Sequence, residues 1–147
     1  MSSGAAVSFR GVYEGWLSGL LQWADLDRVL ASIAAAPEGW WIYDTRGEPP
    51  SAPETAASLP ARLDEIVAFL KRHHRADYLG FVYVDDRSQP SMVKVYDPRN
   101  ASSCSLGTPI PVYTVSRQRP ERLPFEVTPA AEPARTGLLG RLFGGSQ

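Results

Sequence analysis

Cysteine is all but missing from this 147-residue chain, where Cys104 stands alone. One thiol excludes an intramolecular disulfide and every CxxC redox or zinc arrangement, each of which needs a second sulfur. Lysine is nearly as scarce, because thirteen of the fifteen basic residues are arginine. No apolar run approaches the roughly 18 residues that cross a bilayer, so no stable membrane insertion is expected. The opening residues, "MSSGAAVSFRG", lack a charged start followed by an apolar stretch, and the expected compartment is therefore the cytoplasm. Excess charge of one sign is also lacking: the formal net charge is −1, which gives no general attraction to nucleic acid. Phosphate-loop, GxGxxG, GxSxG and HExxH patterns do not occur. No cofactor is implied.

What is present suffices for a folded core. Hydrophobic residues make up 44% of the chain, enough to offset chain entropy, so wholesale disorder is not expected. Charge is unevenly spread. Up to Pro60 there are three basic and seven acidic residues, and from Ala61 onward twelve basic and nine acidic. The positive excess gathers in "KRHHR" (Lys71–Arg75) and "RQRPER" (Arg117–Arg122). Arginine, alanine, glycine and proline are frequent together, a bacterial-type composition that also explains the arginine bias.

The order of elements points to an α+β fold, an antiparallel sheet of four to five strands with two or three helices packed on it. The segment from Val12 to Pro37 reads as helix, broken once, with Leu26, Val29, Leu30 and Ile33 as its apolar stripe and Asp25 as N-cap. Gly11, Gly15 and Gly19 recur every four residues and make its first half short and imperfect. "GWWIYDT" (39–45) is a strand candidate and residues 46–58 a loop. Leu59, Leu63, Ile66, Val67 and Leu70 mark a second helix, with Pro60 in its first turn. "YLGFVYVDD" reads as a central strand buried on both faces. "RSQP" turns it into "SMVKVYDP", which has Val93 and Val95 on one face and Met92, Lys94 and Tyr96 on the other. "IPVYTVS" is an expected edge strand because of its prolines, and "LPFEVT" (123–128) an expected short strand. Residues 1–128 then form one compact domain. Residues 129–147 form a Pro/Ala linker and a flexible apolar tail.

Candidate chemistry is weak. Cys104 sits in "DPRNASSCSLG", whose small residues could expose amides to an anion. The arginine that a phosphatase-like loop needs six residues after its cysteine is replaced here by Ile110. A cysteine hydrolase needs a histidine base, and only His73 and His74 exist. Adjacent on a helix, those two project about 100° apart and do not jointly chelate a metal, so no metal site is expected. Asp85 and Asp86, at a strand end, point to opposite faces and read as turn formers.

The aromatic strand is the stronger signal. Trp40, Trp41 and Tyr43 beside Arg117 and Arg119 have the residue types of an interface hot spot. The tail "GLLGRLFGG" adds Leu138, Leu139, Leu142 and Phe143, which either dock on the domain, dock into a partner groove or stay disordered. The expectation is an interaction module for an unidentified protein partner, of unknown oligomeric state, leaning away from an enzyme. The alternative is a small enzyme or anion-binding domain using Cys104 and the Asp97–Gly107 loop.

Overall fold

The three glycines at four-residue spacing divide the N-terminal stretch. In the computed structural model, which describes residues 7–74, 76–100 and 109–125, it splits into helix α1 (Phe9–Tyr13), strand β1 (Ser18–Gln22) and helix α2 (Trp23–Ala35). Ser8 starts α1 by accepting a 2.9 Å hydrogen bond from the Gly11 amide. A Cβ on Gly15 would lie 3.3 Å from the carbonyl oxygens of Gly11 and Val12, where the chain leaves the helix. Gly19 lies under the Tyr83 ring, where a Cβ would come within 3.2 Å of Cε2. The helix broken once that the sequence suggests is thus corrected: an edge strand, β1, lies between two helices, with one close approach at Gly15 before it and one at Gly19 within it. Asp25 is not the N-cap either. It lies in the first turn of α2, at the positive end of the helix dipole, and pairs with Arg28 at 2.8 Å.

Five more regular elements and one short turn follow. They are β2 (Trp41–Asp44), α3 (Leu59–His73), β3 (Tyr78–Val84), β4 (Met92–Val95), a 3-10 turn (Pro98–Asn100) and β5 (Tyr113–Ser116). The strands form one antiparallel sheet in the order β1-β3-β4-β5-β2. The fold is α+β, as the sequence indicates.

Strand register decides where the core lies. Val84 pairs with Val93, Val93 with Val115 and Val115 with Ile42, so four β-branched side chains cross one face in a row. Onto that face α2 sets Leu26, Val29 and Ile33, and α3 sets Leu59, Leu63, Ile66, Phe69 and Leu70. Each such side chain contributes about 1.5–3 kcal/mol by leaving water. The opposite face is covered over part of its width, where Phe9, Tyr43, Met92 and Leu123 cluster with Val12, Tyr13, Leu17 and Phe125.

Three strand expectations change. β5 is an interior strand rather than an edge, because Pro109 and Pro111 precede it and leave its amides free to pair. β3 is next to an edge and has one open face, with Tyr83 37% exposed. Leu123 to Phe125 pack as irregular chain rather than strand, and residues 126–128 lie outside the described residues. Among the described residues no helix is long and apolar enough to cross a membrane.

Candidate functional site

β2 and β5 run antiparallel with Trp41 opposite Ser116, so the chain leaving β5 passes the chain entering β2. This places the arginine segment beside the tryptophans. Gly39, at φ +83, turns the chain from the end of α2 into β2. Arg117 then lies over Trp40, with its Cζ 4.4 Å from the ring centroid. Its two terminal nitrogens donate to the carbonyls of Glu38 (2.8 Å) and Ala36 (3.2 Å). The Trp40 indole also donates to the Ala36 carbonyl, at 2.8 Å. A cation here faces the negative end of the α2 dipole, which adds to the hydrogen bonds. One register step outward, the Arg119 Cζ lies 5.6 Å from the Trp41 ring centroid.

The aromatic strand is only partly a surface. Trp40 is 1% exposed and Tyr43 0%, so both serve the core, correcting the expectation that they form contact area. The Tyr43 hydroxyl accepts a 3.1 Å hydrogen bond from the Leu123 amide, which ties the arginine segment to β2. Trp41 is half-buried, while Arg117 and Arg119 are exposed. The surface is therefore one indole face and two guanidinium groups.

A cleft of about 440 Å³ adjoins it, between Trp40 and Arg117 on one side and the Ser88–Ser91 turn on the other. The turn is built by the two aspartates. Asp85 accepts from the Ser91 amide and hydroxyl and from the Met92 amide. Asp86 accepts from Ser88 and Gln89, and the Ser88 hydroxyl is the main reason its carboxyl is held below the ordinary value. The Ser91 carbonyl in turn accepts from the Arg117 amide at 3.0 Å. The turn had a sequence signal, the DD-R-S-Q-P run, but its place beside Arg117 depends on the β4–β5 pairing.

Arginines beyond the opposite, Asp44–Tyr113 end of this strand pair are neutralised. Arg46 forms a two-pronged pair with Asp44, and Arg99 does the same with Asp97. In each case the guanidinium hydrogen bond is the largest cause holding the carboxyl low. Arg122 pairs with Glu48. Arg117 and Arg119 pair with no carboxylate among the described residues.

The histidines point apart. His73 meets Phe69 edge-on at 5.0 Å. His74 meets Phe81 at 4.7 Å and hydrogen-bonds the Tyr78 carbonyl. Among the described residues no group of three or more acidic, histidine or cysteine side chains is placed to hold a metal. Cys104 and the tail residues Leu138, Leu139, Leu142 and Phe143 lie outside the described residues. Comparison of the chain with protein-family models, curated proteins and solved structures finds no match.

Proposed function

We propose that this protein is a non-enzymatic binding module whose contact surface is Trp41 with Arg117 and Arg119, and whose partner is a protein segment rich in carboxylates. One observation carries the reading: two exposed guanidinium groups are held against indole rings and pair with no carboxylate among the described residues. Stacking restricts the arginine rotamers before a partner arrives, which lowers the ordering cost of binding. A carboxylate seated on the Arg119 guanidinium gains a charge-assisted hydrogen bond worth about 1.5–3 kcal/mol, while Arg117, whose two terminal nitrogens already donate to Glu38 and Ala36, adds its charge beside it. Trp41 supplies the apolar area beside it. The reading takes the protein as cytoplasmic and assigns it no nucleic-acid partner.

The test is capture of partners from native lysate by the full chain and by two variants, Arg119→Glu and Trp41→Ala, with folding checked by circular dichroism. Loss of one and the same partner in both folded variants supports the reading. A partner held equally by all three proteins, or no partner at all, overturns it. Arg119 is the cleaner position, because Arg117 also ties down the end of α2.

A further inference from the structure

The second face of the sheet carries a group that the Trp41 surface does not use. Register places Gly19, Tyr83, Lys94, Thr114 and Tyr43 in one lateral row across all five strands. Towards Tyr43 the row is covered by Phe9, Met92 and Leu123. Towards Gly19 it is open, with Tyr83 and Leu21 exposed. Lys94 stands at the boundary, half-buried, in the middle of β4.

Its ammonium group is held but not neutralised. Nζ lies 3.7 Å from the Tyr13 ring centroid, a cation–π contact. No carboxylate lies within ion-pair distance of it among the described residues. Glu14 is near enough for its charge to be felt, yet it is paired with Arg10 at 3.2 Å. The hydroxyl of Thr114, next to Lys94 in the row and fully buried, has no hydrogen-bond partner among the described residues. Tyr83 and Tyr96 meet edge to face at 5.7 Å beside the lysine. Burial pulls Lys94 below its ordinary value, and burial first, then Tyr96 and Glu14, push Tyr13 up to about 12.

We infer that the open half of this face, centred on Lys94, binds a small carboxylic acid with a flat apolar body. The ammonium takes the carboxylate, a counter-charge that no described residue supplies within ion-pair distance. The ring edges of Tyr83 and Tyr96, with Leu21, take the apolar body. This site stands apart from the Trp41 surface, and either assignment survives the failure of the other.

The experiment is an amide chemical-shift titration of the full chain with three probes: benzoate, benzamide as its uncharged counterpart, and acetate as the bare carboxylate. The inference expects saturable shifts at Tyr83, Lys94 and Tyr96 with benzoate, and binding of benzamide and of acetate each weaker by about tenfold or more. Lys94→Gln loses benzoate to the same degree, Lys71→Gln leaves it unchanged, and Lys94→Arg, which keeps the charge and the stacking on Tyr13, retains it within a few-fold. The comparison of benzoate with benzamide on the unaltered protein needs no variant to fold. Equal binding of benzoate and benzamide, no saturable shift at these residues, or an equal loss in Lys71→Gln overturns the inference.

Discussion

Arg117 lies across the indole of Trp40, 4.4 Å from the ring centroid, and closes the end of α2 with hydrogen bonds to Glu38 and Ala36. One side chain thereby joins the helix end, the buried aromatic at the start of β2 and the exit from β5. The same contact aims a guanidinium group at solvent beside the Ser88–Ser91 turn. Structure and proposed recognition meet at this residue.

Arg117→Ala should therefore lower stability, by about 1–2 kcal/mol for the lost hydrogen bonds and cation–π contact. Arg117→Lys should recover only part of that, since an ammonium does not form the fork to two carbonyls. Urea denaturation midpoints check both. An alanine variant as stable as the parent would mean that the closure of α2 does not depend on this side chain.

Two buried hydroxyls on β5 should respond oppositely to removal. Thr114 is 0% exposed and its Oγ1 has no partner among the described residues, so Thr114→Val, close in shape, should be neutral or stabilising by up to about 1 kcal/mol. Ser116 donates to the Gln118 carbonyl at 2.7 Å, so Ser116→Ala should cost about 1 kcal/mol. Thermal unfolding of the two variants decides. A clear loss in Thr114→Val would show that its hydroxyl is satisfied in solution.

Much of this architecture was legible in the chain. The i, i+3, i+4 apolar spacing from Leu59 to Leu70 defined α3, and the alternation around Lys94 defined which way β4 faces. β1 was hidden because Leu20 and Leu21 continue a helical-looking stripe, and only pairing with β3 makes the segment extended. The interior place of β5 was hidden because strand order is a long-range property that prolines before a strand do not report. Arginine and tryptophan were each visible, but their stacking follows from the Trp41–Ser116 register, which local pattern does not encode. Burial of Trp40 and Tyr43 has the same origin.

Alkaline stability should depend on Tyr13. Its folded value of about 12 lies above the ordinary 10, so the neutral phenol is favoured in the folded state. That contribution is complete below pH 10 and is lost as pH rises from 10 towards about 12. Tyr96, also raised by burial, acts in the same direction. Denaturation at mildly and strongly alkaline pH should show the parent losing more stability across this range than Tyr13→Phe, which has no phenol to ionise. Equal losses would contradict the burial of the Tyr13 hydroxyl against the sheet.

Residue-specific cross-linking tests the proposed contact surface most directly. A photoreactive side chain at Glu121, exposed and two residues beyond Arg119, should capture one acidic protein in native lysate. The same group at Asp64, on the outer side of α3, should capture none. A product specific to Glu121 that disappears in Arg119→Glu is the predicted result. Equal capture from both positions, or capture that survives the charge reversal, would contradict the account.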